Sequence, residues 1–431
     1  MSQLKTNGKI KENAEAYLKA ATEHRGFTGS ALISIDGSIA VLSAHGMANH
    51  AQKAPNKPDT VFRIGSITKQ FTAAAIMKLE LDGKLKTTDK LNKFLKDPVK
   101  AWEPITIHHL LSHTSGLYSL TADPIYGRVK NADHGPVKTL QWAKDKPLVF
   151  EPGAKQEYSN SGYIALGMII ERVTGKSYFD YLGATFFKPN GLSRTGHEKS
   201  FQRWMAVGYE SIQPKVVVAD PINMIVPHAA GAISSTVGDL NRWVQALWSG
   251  KALPKSAIDK MWTNAGGPMG YGWVIDKPHG HRRVWHNGGI DGFVSCLLTF
   301  PDEKTVVAAI SNSEEGDADR TAYDLSQIAF GRPFEMPKAV LDLKLAEDDL
   351  KPFVGKYKIM GDTIIEISLK NGSLYAQVTG QPPFRLQAQD NRTFEVSKVG
   401  ARLIFSDPAD GKSETLTIVQ GGVSTPCQRQ E

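Results

Sequence analysis

Cysteine is nearly missing from this chain of 431 residues: Cys296 and Cys427 are the only two. Far apart in sequence, they offer neither a disulfide framework nor a zinc-ligand spacing, which excludes a stapled or cysteine–zinc fold. Cys296, inside the apolar run Phe293 to Phe300, reads as a small buried hydrophobe, and Cys427, near the end, as a free thiol. Long hydrophobic runs are missing too. No window of about 18 apolar residues occurs, so no helical membrane span is expected. Nor is there a block of five or six like charges, and a net charge of +7 over the whole length is a modestly basic surface. A nucleic-acid partner is therefore not expected, whereas polyanionic cell-wall material is compatible with the charge. At 41% hydrophobic and 22% charged residues, the composition excludes long disorder. The first residues lack an apolar stretch ending in a small-residue cleavage site. That places the protein in the cytoplasm if Met1 is its native start, and in the periplasm or outside the cell if an export signal has been removed. The strained G-x-S-x-G elbow of α/β-hydrolases is also absent.

What is there exceeds one hydrophobic core, and two domains are expected. After a polar stub, an amphipathic helix carries Ala14, Tyr17, Leu18 and Ala21 on one face. Residues 29–45 form two β-branched runs around Asp36-Gly37, a hairpin signal. Helical spacing follows over Ser66 to Leu85, Ser161 to Val173 and Asp239 to Trp248. Strand signals return at Arg282 to His286, Gly292 to Phe300 and Thr305 to Ser311, before a helix at about 318–330. Strands first and last with helices between them predict an α/β domain: one antiparallel sheet built from both ends, flanked by helices and a helical lobe. A Pro-punctuated link follows, and from Val354 about seven short strands at close spacing predict a small all-β antiparallel barrel. The expected division is 1–338 and 339–431, and the barrel carries no obvious chemistry.

Three stretches outside the barrel carry it instead. In Phe62-Arg63-Ile64-Gly65-Ser66-Ile67-Thr68-Lys69, Ser66 stands where an extended run turns into a helix, and its N–H is one of the unpaired donors there. Lys69 lies one turn up the same face. A nucleophile, a base and an oxyanion donor fit within that turn. Alone the spacing is weak: it recurs at Ser2/Lys5, and simple helix capping would account for it. Glu157-Tyr158-Ser159-Asn160-Ser161 crowds polar groups into a turn before a helix. Val284-Trp285-His286-Asn287-Gly288-Gly289-Ile290-Asp291-Gly292 ends a strand with glycines that admit a close backbone or ligand.

Ser-x-x-Lys, Tyr-x-Asn and His-x-Gly, in that order, resemble the serine β-lactamase and penicillin-binding-protein superfamily. The nearest likeness is to its class C-like branch of β-lactamases, DD-carboxypeptidases, D-aminopeptidases and carboxylesterases. The likeness spans about residues 25–330 and includes the phrases 107–117 and 234–240; the tail is similar to the lipocalin-like domains that follow some peptidase members. The resemblance implies a β-lactamase/transpeptidase-like fold with Ser66 as acylated nucleophile and Lys69 with Tyr158 as its proton shuttle. It also implies that Asn160 contacts Lys69 and the substrate amide, and that His286 faces the nucleophile from the sheet edge. Asn287 and Gly288 are expected at the substrate, and the N–H groups of Ser66 and Gly289 as oxyanion hole. No metal or other cofactor is expected.

His286 departs from class C β-lactamases, which carry Lys at the matching position. Histidine grips a carboxylate less well, which favours peptidase or esterase chemistry. His113 reads as structural, holding its turn. His108 and His109 point apart on a helix and make no metal site. Trp262, Tyr271 and Trp273 either line an acyl pocket or pack the core. The expected function is therefore a serine hydrolase acting on esters or amides, D-amino-acid peptide-like, through a Ser66 acyl-enzyme. Alternatives are a β-lactamase or penicillin-binding protein, and a sensor that stays acylated. The expected partner is a small-molecule or short-peptide substrate, and the barrel is a candidate homo-oligomer interface.

Overall fold

The computed structural model describes residues 2–212, 215–339, 341–360, 363–378, 383–396, 400–420 and 423–430; for residues 2–7, 360 and 423 it describes the backbone alone. The side chains of Ser2 and Lys5 thus lie outside the described residues. Two compact units result, one of residues 1–12 with 28–314 and one of 13–27 with 315–431.

In the first unit, β1 (Gly29–Ile35) and β2 (Ser38–His45) form the expected hairpin, with Asp36 and Gly37 both at positive φ. They join β3 (Val274–Asp276), β4 (Arg283–Ile290), β5 (Phe293–Phe300) and β6 (Thr305–Ser311). The strand order is β3-β4-β5-β6-β1-β2, antiparallel throughout, with β1 lying along β6 from Gly29↔Ser311 to Ile35↔Thr305. Both ends of the unit's chain therefore meet in one sheet, and the helical stretches fall between them. Cys296 is buried in β5 and takes part in no disulfide.

The helix that positions the chemistry is α2 (Thr68–Leu81), numbered after α1 (Ser2–His24). Every residue from Thr68 to Met77 is buried, as expected of a helix apolar on nearly all sides. Ala73, Ala74 and Ala75 keep its girth small, while Phe71 stacks on Trp243 at 4.5 Å and meets Phe187 edge-on at 5.6 Å. Burial of such a ring contributes about 1.5–3 kcal/mol. Trp243 comes from α4 (Val237–Trp248), and α3 (Asn160–Thr174) starts on the Ser159 cap and ends on Gly175 at φ +67°.

The second unit contains α5 (Ala318–Ala329) and a nine-stranded antiparallel sheet. Its strands are β7 (Gly355–Met360), β8 (Thr363–Lys370), β9 (Ser373–Val378), β10 (Phe384–Arg385), β11 (Gln387–Ala388), β12 (Thr393–Val396), β13 (Ala401–Phe405), β14 (Thr415–Gln420) and β15 (Val423–Gln430). The order is β10-β9-β8-β7-β15-β14-β13-β12-β11. The two ends of the sheet, β10 and β11, are separated by Leu386 alone, so one extended segment nearly closes the barrel. Phe353, Tyr357, Phe394 and Phe405 pack ring against ring among its core residues, and the free thiol of Cys427 is buried with them. Arg429 donates to the carbonyls of Pro352, Val354 and Ser413 at 2.6–2.8 Å, tying the start of the barrel to its end.

Candidate active site

The chain approaches Ser66 along Phe62–Arg63, a short strand paired with Ile233–Ser235. Gly65 then takes φ +48°, and Gly65–Ile67 makes one 3-10 turn leading into α2. Only glycine fits there, because a Cβ would stand 2.9 Å from the Gly289 nitrogen. A Cβ on Gly288 would lie 2.1 Å from the Ile64 carbonyl oxygen, and Ser295 Oγ donates to that oxygen at 2.9 Å. The backbone around Ser66 is thus pressed onto the end of β4.

Lys69 Nζ lies 3.0 Å from Ser66 Oγ, 2.8 Å from Asn160 Oδ1 and 2.7 Å from the Ala230 carbonyl oxygen. The Tyr158 hydroxyl donates to Ser66 Oγ at 2.7 Å. Asn160 is itself oriented, its Nδ2 donating to Thr121 Oγ1 at 2.8 Å and its N–H to Ser119 Oγ at 3.1 Å. Lys69 is wholly buried, and burial holds its ammonium well below the ordinary lysine value. Burial also pushes the Tyr158 phenol up, against the opposing bond to Ser66.

His286, buried on β4, sits with its ring centre 6.2 Å from that of Tyr158, and its Nδ1–H donates to the Asn287 carbonyl at 2.6 Å. Burial first, then the Lys69 charge, brings its imidazole down to about 4. His113 holds its turn, with φ +58°, and also stacks on Tyr158 and Tyr163. Its Nδ1 accepts from the Ser159 N–H at 3.1 Å. Burial, then the charges of Lys69 and His286, keeps it far below the usual histidine value.

A cavity of about 260 Å³ opens over Ser66, lined also by Asn160, Gly289 and Ala230. Its apolar lining comes from Leu120, Ile164, Val226, Pro227 and Ile290, and Tyr126 and Asp291 line it too. Ser66, Asn160 and Gly289 thus share the cavity, with Lys69, Tyr158 and His286 around it, whereas Asn287 and Gly288 do not line it. Gly288 faces Ile64 instead. Trp262, Tyr271 and Trp273 are core residues, with Trp262 edge-on to Trp273, and none lines the cavity. His108 Nδ1 meets the Tyr271 hydroxyl at 2.6 Å, while His109 Nδ1 accepts from the Thr106 N–H. Ser119, Thr121 and Tyr126 follow the phrase 107–117, in a stretch whose sequence has no periodicity to mark it.

Residues 13–329 match the model of the family described as Beta-lactamase. The chain belongs to the beta-lactamase family. It is 28% identical to Penicillin-binding protein 4* of Bacillus subtilis (strain 168), over 96% of this chain and 98% of that protein. The octameric penicillin-binding protein homologue from Pyrococcus abyssi superposes with a TM-score of 0.70 at 26% identity, over 97% of this chain and 99% of that one. A D-stereospecific amidohydrolase from Streptomyces sp. superposes with a TM-score of 0.61 at 26% identity, over 74% of this chain and 97% of that one. As a beta-lactamase family member with these relatives, the chain is a serine hydrolase.

Proposed function

We propose that this hydrolase cleaves esters or amides, of the D-amino-acid peptide kind, through an acyl-enzyme on Ser66. One observation carries the reading: Ser66 Oγ lies 3.0 Å from the buried Lys69 amine and 2.7 Å from the half-buried Tyr158 hydroxyl. A neutral Lys69 has two N–H bonds, which the Asn160 and Ala230 carbonyl oxygens take. Its lone pair then points at the Ser66 hydroxyl, and Lys69 is the resting base. Ser66 attacks the acyl carbon as its proton passes to Lys69. The N–H groups of Ser66 and Gly289 receive the developing oxyanion. The leaving group takes a proton from Tyr158, whose phenol is restored from Lys69, and water reverses the sequence to free the acid. Asn160 keeps Lys69 in register, and a neutral His286 borders the site as a hydrogen-bonding group.

4-Nitrophenyl acetate, D-phenylalanine amide and a cephalosporin, run against wild type and Ser66→Ala, test this. Turnover of the ester or amide that disappears in Ser66→Ala is expected. Equal rates for the two proteins would sink the reading, and a cephalosporin preferred over both would move it to a β-lactamase.

Residues 1–338 are proposed as the hydrolase domain and 339–431 as the barrel domain; limited proteolysis should then cut first near 331–345, and a first cut deep inside either part counts against it. A homo-oligomer through the barrel is proposed as well, supported by the octameric state of the Pyrococcus abyssi homologue. Light scattering at the monomer mass of 47.1 kDa would contradict it.

A further inference from the structure

The cavity over Ser66 is unbalanced in charge. Among its described lining residues there is no lysine or arginine, and Asp291 is the one that carries a formal charge. The imidazole of His286 is uncharged near neutrality, and the Lys69 amine is held by Asn160 and Ala230. A substrate carboxylate would find no unpaired cation among these described lining residues. Asp291, by contrast, is built in place. Ile290 pairs with Phe293, so Asp291 and Gly292 are the two-residue turn between β4 and β5. Gly292 has φ +80°, and a Cβ there would stand 2.5 Å from Cα of Gly208, so the turn is clamped. Lys130 pairs with Asp291 and lies 3.7 Å from Asp220, one ammonium between two carboxylates, which leaves the cluster one negative charge in excess. Lys130 is a positioning residue: it fixes the Asp291 side chain through one oxygen.

The distances suit an amino-acid derivative. Asp291 is two residues beyond Gly289, about 6–7 Å along the chain, and lines the same cavity. An α-ammonium lies about 2.5 Å from its acyl carbon. Three other polar side chains of the cavity are committed, Thr121 to Asn160, Asn160 to Lys69, and Ser66 to Lys69 and Tyr158, and Tyr126 is uncharged, its phenol pushed up to about 12 by burial and then by Asp291. The apolar wall of Leu120, Ile164 and Ile290 takes an uncharged side chain.

We infer that Asp291 selects substrates with a free α-ammonium on an apolar aminoacyl unit, so that this hydrolase acts on aminoacyl amides or esters and not on carboxylate-terminated donors. The inference rests on acylation of Ser66 and names the substrate class of that site.

D-phenylalanine 4-nitroanilide and its N-acetyl derivative, compared on the full chain at pH 6.5, below the usual α-amino value, test it without any variant. A charge-assisted contact predicts kcat/KM about 10- to 100-fold higher for the free amine. Asp291→Asn should collapse that ratio to within about threefold, through KM more than kcat. A wild-type ratio near one overturns the inference, as does an Asp291→Asn variant that lowers both substrates by the same factor. 4-Nitrophenyl acetate separates the two levels. If wild type turns it over no faster than Ser66→Ala, the acylation reading has failed. If it is turned over through Ser66 while neither anilide is, this inference alone has failed.

Discussion

His113 lies nearly flat against Tyr158, ring centres 4.5 Å apart and planes 22° from parallel, while its Nδ1 accepts the N–H of Ser159. One side chain therefore fixes both the plane of the phenol and the backbone that follows it. A His113→Ala enzyme loses the stack and leaves the Ser159 N–H unpaired, at a cost of about 1–3 kcal/mol in stability. We expect kcat to drop about tenfold or more with a smaller change in KM. The pH limbs should stay where they are, because His113 is already uncharged at neutral pH. A shifted acid limb would mean that His113 exchanges protons in the reaction.

The Lys69–Tyr158 pair predicts the shape of the pH profile. Lys69 works as a base only when neutral, so kcat/KM rises with pH through a limb well below the ordinary lysine value. Tyr158 must keep its proton, and activity falls only above the ordinary tyrosine value of about 10. No step near 6.5 is expected from His286, which titrates at about 4. Tyr158→Phe removes the alkaline limb and lowers kcat about 10²- to 10⁴-fold. Steady-state rates from pH 5 to 11 check both; an acid limb at the free-lysine value would refute the neutral base.

Gly65→Ala tests the contact between the two backbone segments. Its Cβ would meet the nitrogen, carbonyl carbon and oxygen of Gly289 within 3.1 Å, at a φ of +48°. A strain of this kind costs about 1–3 kcal/mol, and the displaced Gly289 N–H should lower kcat about 10²-fold or more. Calorimetry with single-turnover acylation measures the two effects. A variant with wild-type kcat would show that Gly289 makes no contribution to the oxyanion.

Asp317 gives the second unit a pH signature. It caps α5 by accepting the Arg320 N–H at 3.0 Å, yet burial raises its carboxyl to about 7, with that bond opposing. The folded state thus binds this proton more tightly than the unfolded chain, whose aspartates titrate near 3.9. The contribution is fully present below about 4 and is lost as pH rises through about 7. Asp317→Asn, still a good cap, should flatten the Tm profile between pH 5 and 8, where each kcal/mol is worth about 2–4 °C. Identical profiles for the two proteins would count against a buried proton.

Much of this was legible before any coordinates. Short apolar, β-branched runs marked the hairpin and the sheet strands, several of them buried on both faces, and seven short strands between turn signals marked the barrel, where burial on one face leaves a period of two. The three motifs lie about 90 and 130 residues apart, and their residue types point to one chemistry only in combination. Other features have no local signature. β15 reads as a polar tail because Gln428, Arg429 and Gln430 alternate with nothing apolar, and Pro426 argues against a strand. In the barrel Pro426 pairs with Thr417 on one side, while β7 meets only residues 428–430 on the other, so its missing N–H is not called on. α1 runs from Ser2 although its first residues look like a stub. The cavity wall was equally hidden: Leu120 and Tyr126 open one-turn helices and Val226 lies in a turn, elements too short for periodicity to decide the facing.

The segment Phe384–Ala388 serves as both the first and the last strand of its sheet, and each half is two residues long. Among the described residues the barrel therefore offers no long unpaired ladder onto which a foreign strand could zip. Among the described residues, copies that associate through this module have side chains to meet and little strand edge to extend.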